Sequence, residues 1–129
     1  MTGSGPVASM ASMAVKLRSA AQILLDLADE TDDEIKANAY WHSGIAPEPL
    51  WFAHGVDNAV GGPGGRLAGL LSPDAARGLA EWLRDQAQFG ESMVEIHGYL
   101  TEPTFRTLGP AYTLATQITV THEILGGFR

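Results

Sequence analysis

Apolar side chains recur at helical spacing in three stretches of this chain. In the first, Leu17, Ala20, Ala21, Leu24, Leu27 and Ala28 share a face, and Ile23 and Leu25 broaden it. The pattern predicts a helix from near Ala14 to Asp29 or beyond, with a stripe wide enough to meet two neighbours. Asp29-Glu30-Thr31-Asp32-Asp33-Glu34 comes next. Carboxylates are unfavourable at a helix C-terminus. Either the helix runs on through them or Thr31 caps a new one. Thr31 and Glu34 stand at capping-box spacing, which favours a break or kink.

The second stretch opens at Ser72-Pro73-Asp74. A serine hydroxyl can cap the first helical N–H groups, proline suits the first turn, and an aspartate complements the helix dipole. Ala75, Leu79, Trp82, Leu83, Phe89, Met93, Ile96 and Leu100 then follow a roughly helical period. Trp82 and Leu83 are expected to be buried. Gly90 interrupts the pattern, so the helix either ends at Phe89 or bends and continues to His97, with Thr101-Glu102-Pro103 as a stop. The third stretch begins at Gly109-Pro110. Leu114, Ala115, Ile118, His122 and Leu125 share its face, and Gly126-Gly127 ends it.

Between the first two stretches the period is lost. Tyr40, Trp41, Ile45, Leu50, Trp51 and Phe52 crowd together around Pro47 and Pro49. Aromatic and β-branched residues favour extended structure, so a short hairpin or irregular strands are predicted, turning at Ala46-Pro47-Glu48-Pro49. Gly61-Gly62-Pro63-Gly64-Gly65 reads as a flexible connector. The fold class expected is therefore α+β, mostly helical. It has three main helices packed together and a short hairpin or extended segment between the first and second. Residues 1–12, rich in Gly, Ser and Ala, are expected to form a flexible tail on a single domain at 13–129. They lack the early basic residue and continuous apolar core of a signal peptide. Met10 and Met13 are alternative start sites.

Composition narrows the function classes. The 129 residues suffice for a core, and there is no cysteine for disulfides, thiolate catalysis or Cys-based zinc sites. Asp and Glu outnumber Lys and Arg by 15 to 8, a formal charge of −7. The basic residues are scattered, so direct nucleic-acid binding is disfavoured. No apolar run is long enough to span a bilayer, and no membrane contact is expected.

Candidate chemistry is sparse. His42, His54 and Asp57 could supply imidazole and carboxylate ligands to a transition metal, but no helical spacing fixes them, and ordinary loop hydrogen bonds are the favoured reading. His122 is expected to be a satisfied core or rim histidine, and His97 a helix-end residue. The acidic run lacks the residue order of a calcium loop. Gly61 to Gly65, with Arg66, lacks the Lys-Ser/Thr pair of a phosphate loop. Ser43, Ser72 and Ser92 lie outside any Gly-x-Ser-x-Gly elbow. No catalytic residue, cofactor or metal site is expected, and the balance tips against an enzyme. The candidate interaction surface comprises Asp29, Asp32, Asp33, Glu34, Trp51 and Phe52. The aromatics could equally be core.

Three segments carry a resemblance. Lys16-Leu17-Arg18-Ser19-Ala20-Ala21, the block from Leu71-Ser72-Pro73 to Trp82-Leu83-Arg84, and the terminal Ile124-Leu125-Gly126 resemble segments of small acidic helical proteins of actinobacteria and their phages. Where those proteins carry Pro-Gly-Pro-Trp, this chain has Lys36-Ala37-Asn38-Ala39-Tyr40-Trp41. The resemblance implies a source and a fold type but no activity. The function expected is a non-enzymatic protein-interaction module, a phage or prophage accessory protein in the host cytoplasm with a protein partner. Alternatives are a structural component of a virion, and a small-ligand-binding protein or enzyme using the central His/Asp/aromatic segment. Self-association stays open.

Overall fold

Helix α1 (Pro6–Ala37) opens the described part of the chain, residues 6–127 of a computed structural model. The expected tail at 1–12 falls partly outside those residues. Its described portion is helical from Pro6, and Met10 is only 2% exposed. No break occurs at Thr31. Its hydroxyl donates to the Leu27 carbonyl at 2.6 Å, so it bonds back along the helix instead of capping a new one. Asn38 then caps a short 3-10 turn at Ala39–Trp41 through its side-chain oxygen.

The predicted hairpin is absent, and with it the α+β class. The described residues contain five α-helices, not three, and no strand. A second 3-10 turn, Glu48–Leu50, leads into α2 (Trp51–Val60) and α3 (Gly62–Leu70). The glycine-rich connector is itself mostly helix. Gly61 and Gly62 turn the chain at φ +74° and +62°, and Pro63 then suits the first turn of α3.

Helix α4 (Pro73–His97) starts as the sequence predicts: the Ala75 N–H donates to Ser72 Oγ at 3.2 Å. It passes through Gly90 and stops before Gly98, whose φ of +80° suits a left-handed cap. Helix α5 begins earlier than Gly109-Pro110. It spans Glu102–Gly126, capped by Thr101 Oγ1, which accepts the Thr104 N–H, and Pro110 lies inside it.

The chain divides into two compact units, Met1–Leu24 with Leu79–Arg129, and Leu25–Gly78. The boundaries fall inside α1 and α4 and not at a linker.

The first unit buries Met10, Met13, Leu17, Leu83 and Leu108 among alanines at 14, 20, 21, 80, 87, 111 and 115. Small residues let its helices approach closely. A Cβ on Gly90 would lie 2.6 Å from Met10 Sδ and 2.9 Å from Leu108 Cδ1. Leu83 is fully buried as expected, but Trp82 is 38% exposed and His122 faces solvent. Arg18 clasps Glu91 with both terminal nitrogens, at 2.6 and 2.8 Å.

In the second unit α3 packs on α2 through glycine. A Cβ on Gly65 would lie 3.0 Å from Asp57 Oδ1, and one on Gly69 would lie 3.3 Å from the Ala53 carbonyl oxygen. Leu67 and Leu70, on the other side of α3, are 67% and 73% exposed.

Candidate functional site

The aromatic residues read as strand formers build a small cluster in the second unit. Trp41 stacks on Phe52 with ring centroids 5.9 Å apart and planes 4° from parallel, and Tyr40 meets Trp41 edge-on at 5.3 Å. Hydrogen bonds hold each polar handle. The Trp41 indole N–H donates to Glu34 at 2.8 Å, the Tyr40 hydroxyl to the Gly55 carbonyl at 2.6 Å, and the Trp51 indole N–H to the Ala46 carbonyl at 3.1 Å. Gly55 permits this arrangement, since a Cβ there would lie 2.5 Å from the Trp41 ring. Ser43 Oγ accepts the N–H groups of Ile45 and Ala46, which turns the segment between the two 3-10 turns.

Beside this cluster lies a cleft of about 400 Å³. Its apolar lining is Ile35, Pro49, Trp51, Phe52 and Pro73, and its charged lining is Asp32, Lys36, Glu48 and Asp74. Ser72 also lines it, with its oxygen already serving as the cap of α4. The lining thus combines apolar and aromatic faces with an excess of carboxylates, groups suited to holding a guest.

One arginine organises the acidic end. The Arg77 guanidinium donates to Asp29 at 2.8 Å, to Asp32 at 2.5 Å and to Asp74 at 3.1 Å. The hydrogen bonds it donates to Asp29 and then to Asp32 raise its pKa above the ordinary arginine value. Three carboxylates on one cation leave two negative charges uncompensated at this point.

The residues singled out in the sequence therefore separate by role. Asp32, Trp51 and Phe52 line the cleft together. Asp29 joins them only through Arg77, Glu34 holds Trp41, and Asp33 is exposed. Sequence reasoning missed Arg77, Glu48, Pro49, Ile35 and Lys36. The one signal for Arg77 was its position three residues after Asp74 on a helix.

His42 and His54 make separate contacts. His42 stacks on Trp51 at 4.8 Å, with Nε2 2.7 Å from the Ile35 carbonyl oxygen. His54 Nδ1 lies 3.5 Å from the Asn58 amide nitrogen. No group of three or more His, Cys, Asp or Glu side chains converges in a metal-holding arrangement among the described residues. No described helix is long and apolar enough to cross a membrane. No family model, curated protein or solved structure matches the chain.

Proposed function

We propose that the chain is a non-enzymatic protein-interaction module that receives a partner protein in the cleft of its second unit. The observation that carries this reading is the joint placement of Asp32, Trp51 and Phe52 on one cleft wall system, with Trp51 and Phe52 only partly covered. Aromatic residues are enriched at interface cores, and the rim around them is polar. The resemblance of the Leu71–Arg84 block and the terminal helix supports a phage or prophage accessory role inside an actinobacterial host.

The test is site-specific photocrosslinking in an actinobacterial host. A photoreactive residue replaces Phe52 in one variant and the exposed Glu95 of the other unit in a second. The reading expects one protein crosslinked from position 52 and not from position 95. The same protein, once purified, should bind the wild type and lose affinity for Phe52→Ala. Equal crosslinking from both positions, or undiminished binding by Phe52→Ala, would overturn it.

A further inference from the structure

We propose that the segment accepted by this cleft is cationic and apolar at once: a peptide in which arginine or lysine stands next to leucine or an aromatic residue. This rests on the protein-docking reading above and adds the chemistry of the guest.

Charge complementarity selects the cation. Asp29, Asp32 and Asp74 share the single guanidinium of Arg77, and Glu48 adds a further carboxylate against Lys36. The rim is therefore net negative by two charges. The Asp74 side chain is 96% exposed and only its Oδ1 is given to Arg77, at 3.1 Å. A carboxylate has about four acceptor positions, so Asp74 can take a second cationic donor while keeping the first. An anionic guest would meet like charge. A wholly apolar guest would strip water from these carboxylates without replacing its hydrogen bonds, which is costly. A guanidinium or ammonium supplies the missing donors and is attracted to the face of a tryptophan. Ile35, Pro49, Trp51 and Phe52 then offer the apolar surface for its neighbour.

The experiment titrates the full chain with three blocked hexapeptides: alternating arginine and leucine, alternating glutamate and leucine, and arginine alternating with serine. Binding is read from amide and indole N–H chemical shifts. The arginine–leucine peptide should bind, with the largest shifts at Trp51, Phe52 and Asp74, and its affinity should fall steeply as salt rises. The other two peptides should bind at least about tenfold more weakly, having lost one of the two attractions. The paired variant Glu48→Gln with Asp74→Asn keeps the Asp29 and Asp32 contacts to Arg77 and should weaken the arginine–leucine peptide by about fivefold to tenfold. Unchanged peak dispersion would show that the variant is folded. Equal binding of the glutamate peptide, shifts confined to other surfaces, or no response to the arginine–leucine peptide would overturn the proposal. A partner crosslinked from position 52 whose affinity ignores salt and the paired variant would overturn the cationic guest and leave the docking reading standing. Absence of any such partner would remove the docking reading itself.

Discussion

Gly55 shows how much of the second unit depends on one missing methyl group. Its would-be Cβ lies 2.5 Å from the Trp41 ring, and Trp41 in turn stacks on Phe52. An alanine here gains up to about 1 kcal/mol of helix propensity. A rigid ring cannot yield as a flexible chain end can, so overpacking, at about 1–3 kcal/mol, should win. Gly55→Ala is expected to lower stability and shift the tryptophan emission; an unchanged spectrum and melt would contradict the packing. In the first unit, Leu83→Ala should cost about 2–5 kcal/mol because the side chain is fully buried. Trp82→Ala, beginning from a partly exposed ring, should cost less than Leu83→Ala in urea unfolding. The Arg18–Glu91 pair adds a pH dependence. The hydrogen bonds from Arg18 hold the Glu91 carboxyl below its ordinary range. Its stabilisation is therefore complete above the unfolded value of about 4.3 and is lost as pH falls through the lower native value. Both side chains are over 40% exposed, so the contribution is at most about 1 kcal/mol. Glu91→Gln should be less stable than wild type at neutral pH, and the gap should close on acidification. A gap that widened would contradict the assignment.

At the scale of elements, α3 inverts the usual rule. Gly65 and Gly69 face α2, and Leu67 and Leu70 face outward. Gly65→Val should therefore destabilise the second unit by about 1–3 kcal/mol, whereas Leu67→Gln should stay within about 0.5 kcal/mol of wild type. The reverse order in chemical denaturation would show that α3 is packed the other way round. The same inversion explains why α3 was illegible in the sequence. A search for apolar periodicity looks for buried leucines, and here the buried face is Gly65 and Gly69. Local chemistry carried the reading where it dominates, as at Ser72-Pro73-Asp74, where cap, first-turn proline and dipole charge agree. It failed at residues 40–52. There Asn38, Ser43 and the prolines impose turns on residues that would favour a strand in isolation. It failed again at Thr31, whose capping-box spacing lost to continued helix. The site was legible in part. Asp32, Trp51 and Phe52 could be nominated by type, but the bond from Arg77 to Asp29 spans 48 positions and leaves no local trace.

For the molecule as a whole, the order of the chain has a kinetic consequence. The first unit is discontinuous in sequence, and residues 25–78 are inserted between its two parts. Joining those parts in an unfolded chain means closing a long loop, at an entropic cost that grows with loop length. The inserted unit closes that loop itself. Arg77 stands next to its exit and Asp29 near its entrance, and the two are bonded at 2.8 Å. Once residues 25–78 are folded, the two flanking segments emerge already tethered, and the remaining search is short. Arg77→Gln, which removes the tether without touching the first unit's buried side chains, should slow the folding of the first unit more than it speeds its unfolding. Stopped-flow refolding followed through a probe at Tyr112 would measure both arms. An effect confined to the unfolding arm would mean that the ends find each other without help.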